Sequence, residues 1–395
     1  MPTAAALAAG ALAATGAAGL LVRVQNRTLC HFRESYLKKA VALGTMPGAA
    51  VVGVLAARAF DRDPGPWTAV ALASLMAAGL AALWSTAGQL RLERLDARRR
   101  QVSPRHWPAD HAAAEGLKPA ERALLRALRP VNRPTALDVV RYRLPLDDLP
   151  AGFEGYRIVW LTDPHLHRTL PWAYYRHAVA TAMSLRPDLV LLGGDYITRA
   201  AFIPRIAEML DGLSAPDGVL AIRGNHDFWT DPAAVEAQLA LAGARLLKND
   251  LCEVRRPDGV LRIAGIEAPY LPLGPWRRAR LAERGRPHLA LVHTPDAFPL
   301  AASLGAQAAL AGHTHGGQVR LPFFGTTLSG QGLGPGFSRG SARLGGTRTL
   351  VSHGVGAFVP LRFRCHPEVH LLLLARRGQL ADRLAGEGGH PADGD

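Results

Sequence analysis

The chain has 395 residues, 48% of them apolar and 20% charged, enough for one large domain plus an appendage and too apolar for a wholly disordered protein. Aromatic residues make up only 6%, yet the mean hydropathy is +0.05, so apolar sequence must be concentrated locally. The formal charge of +14 is uneven: residues 1–150 hold 20 Lys and Arg against 11 Asp and Glu, a bias that points to anionic lipid head groups more than to nucleic acid.

Residues 1–90 read as a membrane segment. Three uncharged stretches, 2–22, 40–57 and 67–88, each approach the ~20 residues that cross a hydrocarbon core as a helix, so two or three transmembrane helices are expected. Nothing basic precedes the first stretch, which argues against a cleaved export signal. Arg23, Arg27, Arg33, Lys38 and Lys39 follow the first stretch, and Arg91, Arg94, Arg98, Arg99 and Arg100 follow the third. Positive flanks stay inside, so the expected location is the plasma (inner) membrane, with everything after Gly88 cytoplasmic. Residues 91–134, rich in Arg and Pro, read as a linker; within it, 119–128 form a short amphipathic helix that either lies on the inner leaflet or packs on the main domain.

From residue 135 to 377 the texture is that of an α/β domain. Strands are expected at 136–144, 156–162, 188–192, 218–222, 260–266, 288–292, 306–311, 347–352 and 368–374, and helices at 172–185, 203–213 and 232–243. Residues 378–395, poor in apolar side chains, read as a disordered tail. Three scattered cysteines, Cys30, Cys252 and Cys365, fit reduced thiols and speak against a disulfide scaffold or a zinc–thiolate site.

Five apolar runs each deliver Asp, Asn or His at their C-terminal ends, the edge where open α/β sheets bind ligands. The residues are Asp163, His165, Asp195, Asn225, His226, His293, His313 and His315. Any one of them alone reads as a cap or a turn former; five coincidences at strand ends read as a metal site. A pool of imidazole and carboxylate without thiolate suits Mn, Fe or Zn. Glycines beside nearly every candidate let the main chain come close to a metal or a substrate oxygen.

The ordered set Asp163-x-His165, Gly194-Asp195, Gly224-Asn-His-Asp227, His293 and Gly312-His-Thr-His315-Gly-Gly-Gln318 resembles the calcineurin-like metallophosphoesterase superfamily. The resemblance spans about 137–374 and is closest to its bacterial membrane-associated branch. Pro164 departs from the apolar residue usual at that position. The resemblance implies a four-layer α/β fold, a two-sheet sandwich flanked by helices, here preceded by the transmembrane helices. It further implies two divalent ions: one held by Asp163, His165 and His315, the other by Asn225, His293 and His313, with Asp195 bridging. A metal-bridging hydroxide would then attack phosphorus, His226 would protonate the leaving group, and Asp227 would orient His226. Arg199 and Arg223 lie where they could touch phosphate, although solvated surface positions suit them as well. His167 fits no position of the family pattern and reads as exposed. Trp172, Tyr174, Tyr175, Phe228 and Trp229 follow ligand loops and could wall an acyl chain, or simply pack in the core.

The leading expectation is a membrane-anchored phosphohydrolase cleaving a phosphoester or pyrophosphate, with a lipid-linked compound as a reasonable substrate class. One alternative is a cyclic-nucleotide phosphodiesterase or nuclease. Another, of a different class, is a non-catalytic membrane scaffold that binds a phosphorylated ligand at its metal site.

Overall fold

The computed structural model describes residues 100–106, 119–128, 130–321, 325–326, 333, 335–357 and 361–377, with isolated positions at 11, 13, 14, 17, 91 and 96. The expected tail and the second and third apolar stretches lie outside the described residues, as does nearly all of the first. Among the described residues, no helix is long and apolar enough to cross a membrane.

In chain order the elements are β1 (Arg100–His106), α1 (Pro119–Ala127), β2 (Ala136–Leu146), β3 (Arg157–Leu161), α2 (Trp172–Ser184), β4 (Leu189–Leu192), α3 (Ile206–Leu210) and β5 (Val219–Ala221). Next come α4 (Asn225–Trp229), α5 (Pro232–Leu241), β6 (Ala244–Leu246), β7 (Asp250–Arg256), β8 (Gly259–Ile266), α6 (Pro275–Glu283), β9 (Leu289–Val292) and α7 (Phe298–Ser303). The chain continues with β10 (Ala308–Ala311), β11 (Arg320–Leu321), β12 (Gly325–Thr326), β13 (Gly340–Leu344), β14 (Thr347–Val351) and β15 (Glu368–Arg376). One mixed sheet has the order β1-β2-β15-β3-β4-β5-β6, a second the order β13-β14-β10-β9-β8-β7, and β11 and β12 pair as a small separate ribbon.

The central strands are short unbroken apolar runs because both of their faces are covered: LVLL in β4, LALV in β9 and AALA in β10 are buried throughout. Between the sheets, Ile158, Trp160, Leu191 and Leu220 of the first pack with Ile263, Leu289, Leu291 and Leu310 of the second. On the outer face of the first sheet, Val159 and Val190 meet Tyr174 and Ala178 of α2, Ile206 and Met209 of α3, and Val235 and Leu239 of α5. On the outer face of the second, Ala290, Val292 and Ala309 meet Phe298 and Ala301 of α7. The result is a sandwich of helices, sheet, sheet and helix. Helix α5 starts where sequence dictates: the Asp231 side chain accepts from Ala233 N (3.1 Å) and Ala234 N (3.0 Å), with Pro232 in the first turn.

Several elements differ from expectation. The stretch read as a linker contributes β1, which pairs antiparallel with β2 from Arg100↔Tyr142 to His106↔Ala136. Its Pro104 is tolerable because β1 is an edge strand. The helix expected over 203–213 begins as a 3-10 turn, Ala200–Arg205, before α3; in an α-helix from Ala200 the Pro204 ring would clash with the Ala200 carbonyl. The unanticipated β6, β7 and β13 are short or charged, and β6, β7 and β13 all lie at sheet edges, where period and composition signals are weakest. Helix α1 buries Leu125 and exposes Arg126.

Candidate metal centre

Strands β3, β4, β5, β9 and β10 run toward one edge of the sandwich, and there each releases its polar residues. Asp163, His165, Asp195, His313 and His315 leave their strands in the left-handed backbone region, with φ of 53°, 46°, 56°, 68° and 49°. Such conformations are uncommon for side-chain-bearing residues and cluster at functional sites. Here they turn five side chains inward to one place.

Three overlapping groups of potential ligand atoms result, the atoms of each lying within 4.8 Å of one another: Asp163, His165 and His315; His165, Asp195 and His226; Asp195, His293 and His313. Asp195 joins the two halves. Its Oδ2 lies 3.4 Å from His165 Nε2 and 3.3 Å from His293 Nε2, while its Oδ1 accepts from His226 N at 2.8 Å. Asn225, the first residue of α4, sets its Oδ1 3.0 Å from His293 Nε2 and 2.7 Å from His313 Nδ1.

The electrostatics are those of a site short of positive charge. Burial pushes the Asp163 carboxyl up to about 6, with Asp195 adding to the rise. Burial also pushes Asp227 up to about 8, again with help from Asp195. For Asp195 itself, burial is outweighed by the rings of His293, His226 and His165, which hold its carboxyl well below the usual range. His293 behaves conversely: burial opposes its charge, but Asp195 pushes it up to about 10. Burial depresses His165 and His315 well below the ordinary imidazole value, leaving them neutral, as metal ligands must be. Among the described residues His315 Nε2 is buried with no hydrogen-bond partner, 3.7 Å from Asp163 Oδ1. An orphaned imidazole nitrogen beside a buried carboxylate is a group whose partner is a cation, so the residues fit divalent metal.

Glycine at 312 is required by close approach. A Cβ there would stand 1.9 Å from Asp163 Oδ2 and 2.4 Å from Thr162 Oγ1. Asp163 is itself held by Thr162 Oγ1 (2.6 Å) and His313 N (3.0 Å). Gly312→Ala is therefore expected to displace Asp163 and lower kcat/KM by about 10²-fold, the cost of misplacing a catalytic group by roughly 1 Å. A wild-type value from steady-state kinetics would show that the loop relaxes without moving the carboxylate.

Two residues take partners that the sequence does not foretell. Asp227 spends its carboxylate on backbone donors: Oδ2 accepts from Asp195 N and Gly224 N, both at 2.8 Å, and Oδ1 from Tyr196 N at 3.0 Å. It ties together the loops after β4 and β5, which makes it a positioning residue for Asp195 and Asn225. Arg223 is neither a phosphate contact nor a solvated arginine. It is buried and donates to both carboxylate oxygens of Glu267, Nε to Oε1 and Nη2 to Oε2, each at 2.8 Å, while its backbone N donates to Oε1 at 3.0 Å. Arg199 is exposed at the start of the 3-10 turn. His167 is half-buried, 3.1 Å from Thr169 Oγ1, and belongs to none of the three groups.

The expected aromatic wall divides. Tyr174 and Tyr175 are core residues, and half-buried Trp172 lies under the Arg205 guanidinium, 3.8 Å from its ring centre. Phe228 and Trp229 stay half-buried at the centre, Trp229 with its ring 5.1 Å from that of His226. They are joined by Tyr270, stacked 6.0 Å from Phe228 and edge-on to His293 at 6.3 Å. Tyr270 was not anticipated because it follows a strand, β8, whose end carries no ligand.

The calcineurin-like phosphoesterase family model matches residues 156–317, a span that includes each candidate ligand. The uncharacterized metallophosphoesterase YkuE of Bacillus subtilis is 31% identical over 253 residues, covering 61% of this chain and 86% of that protein. Phosphodiesterase YaeI of Escherichia coli is 30% identical over 254 residues, covering 61% of this chain and 89% of its own. The UDP-2,3-diacylglucosamine pyrophosphatase LpxG of Chlamydia trachomatis is 24% identical over 294 residues, 60% of this chain and 89% of that one. The chain belongs to the calcineurin-like phosphoesterase family and is a metal-dependent phosphoesterase.

Proposed function

We propose that the chain hydrolyses a phosphodiester or pyrophosphate with two divalent ions at this centre, tethered to the inner membrane with its active site in the cytoplasm. The observation that carries the reading is Asp195 Oδ2 standing between His165 and His293, one carboxylate shared by two ligand groups. Asp163, His165 and His315 would hold one ion, Asn225, His293 and His313 the other, with Asp195 common to both. Such a pair supplies an activated water near neutral pH and neutralises phosphoryl charge. The chain's own part is to fix the donors on rigid strand ends, and His226, beside the shared carboxylate, would give a proton to the leaving oxygen. Phe228, Trp229 and Tyr270 offer apolar surface next to that leaving-group position. With a relative that is a pyrophosphatase of a diacylated sugar nucleotide, they favour an acylated, lipid-linked substrate; the relative that is a phosphodiesterase favours the simpler diester.

The test uses full-length protein in detergent, stripped with EDTA and reconstituted with Mn2+. Hydrolysis of bis-p-nitrophenyl phosphate is expected to vanish with the metal and return with it. His226→Gln should lower turnover of diesters with alkyl leaving groups by about 10²–10⁴-fold, and of p-nitrophenyl esters, whose leaving group needs little proton assistance, by less. Undiminished activity in the stripped protein would end the metal-dependent reading. An extracytoplasmic signal from a reporter fused at Asp395 would reverse the orientation.

A further inference from the structure

We propose that Arg362 is a positioning residue of the metal centre, fixing the Asp163, His165 and His315 group from behind; this rests on reading that group as metal ligands. The Arg362 side chain is fully buried. Its Nη2 donates to the carbonyl oxygens of His353 (2.7 Å), Gly354 (3.4 Å) and Gly356 (2.5 Å), and Nη1 to that of Cys365 (3.2 Å). The same Nη2 lies 3.2 Å from His315 Nδ1. Its hydrogen-bond partners are neutral carbonyls, where a buried guanidinium ordinarily takes a carboxylate. The His315 Nδ1 contact is one of packing, because a neutral His315 that presents Nε2 to a metal carries its proton on Nδ1. A plain packing role would be met at less desolvation cost by an apolar side chain.

What the guanidinium gathers explains its place. Segment 353–356 lies flush against the first ligand loop: Val355 N donates to Thr162 O (2.9 Å) and Gly356 N to Asp163 O (2.8 Å). Contact is so close that a Cβ at Gly356 would fall 1.7 Å from Pro164 O, and one at Gly354 would fall 2.8 Å from Asp163 Cβ. By taking three carbonyls of this segment, Arg362 fixes the wall behind Asp163 while touching the ring of His315. Its own backbone is anchored in turn: Arg362 N donates to Asn132 Oδ1 at 2.7 Å and Arg362 O accepts from Arg133 N at 2.9 Å. From the other side, Glu368 accepts from His353 N at 3.0 Å. One side chain thereby couples two ligands that arrive from opposite sheets.

The experiment counts metal directly. Full-length wild type, Arg362→Gln and Arg362→Ala are loaded with Mn2+ or Co2+, challenged with a chelator, and read by elemental analysis and by the Co2+ visible spectrum. Wild type is expected to keep two ions per chain. The variants should keep one, with affinity for the other lowered about 10–100-fold, the usual loss when a residue orienting a ligand is removed. Guanidinium ion should restore the second Co2+ in Arg362→Ala, where ammonium at equal concentration does not. Gly356→Ala, which displaces the same segment with Arg362 intact, should lose the same ion. Folded variants that retain both ions overturn the proposal, and so does joint loss of both ions without rescue, which would mark Arg362 as a general folding residue. If the Arg362 variants do not fold, Gly356→Ala decides: retention of both ions there overturns the role. A wild-type chain that binds no ion fails differently, by removing the metal-centre reading itself.

Discussion

Asp195→Ala is expected to lower kcat/KM on a diester by about 10³-fold or more, at or above the upper end of what removal of one charge-stabilising group costs, because this carboxylate serves both ligand groups. Stability should fall too. In the metal-free protein Asp195 stabilises His293 but repels Asp163 and Asp227, whose carboxyls it helps to raise. Despite burial, its own carboxyl is nonetheless held well below the usual range by His293, His226 and His165, so the charged form favours the fold and its removal should lower the metal-free unfolding midpoint near neutral pH. A further loss appears on adding Mn2+. At 100 times Kd each site stabilises the folded chain by about 2.7 kcal/mol, and the variant should lose most of that gain. Denaturant titrations with and without Mn2+ measure both quantities; a variant that keeps the full Mn2+ increment and its activity would remove Asp195 from the centre.

The second large effect is on folding. Arg223 follows β5 of one sheet and Glu267 follows β8 of the other, so their two-pronged pair bridges the sheets directly beneath α4. The Phe228 ring lies 4.6 Å from the Arg223 guanidinium, and Arg223 Nη1 also reaches Pro232 O at 3.2 Å. Glu267→Gln removes the two-pronged partner of a buried guanidinium, leaving it only the half-exposed Glu236 carboxylate 3.7 Å from Nη1, and should cost about 3 kcal/mol, roughly 10 °C in Tm. Replacing both, as Arg223→Met with Glu267→Leu, should recover much of the loss, since an apolar pair of similar volume avoids the desolvation of two charges. Activity should not recover with it, because Arg223 N loses its acceptor beside Asn225 and His226. A cost below about 1 kcal/mol for the single variant would mean that water reaches the pair and screens it.

Much of this was legible in the sequence, and the reason is chemical. β4, β9 and β10 are unbroken apolar runs stopped by His or Gly, and β3 is nearly so, and a chain can hardly write such a pattern without burying the run and exposing its end. The candidate ligands therefore announced themselves by place as well as by type. β1 and β7 did not, since RQVSPRH and DLCEVRR carry charges that only an edge strand accommodates. Arg223 was misjudged because its partner lies 44 positions away, on the other sheet. The acceptor role of Asp227 toward three backbone amides leaves no trace in side-chain identity. Arg362 was invisible for the same reason: its partners are mostly carbonyl oxygens, which every residue has. Side chains that recognise chemistry show themselves in sequence, whereas those that recognise backbone need the fold.

The left-handed turns at Asp163, His165, Asp195, His313 and His315 bear on how this protein can be engineered. Each such residue costs of order 1–3 kcal/mol relative to relaxed backbone, and glycine would remove most of that strain. With these five as the metal ligands proposed above, a selection for heat resistance or expression alone would drift toward glycine there and return well-folded chains that have lost metal and turnover. Thermal robustness and turnover pull against each other at the same five codons, so any search for improved variants must score hydrolysis at every round.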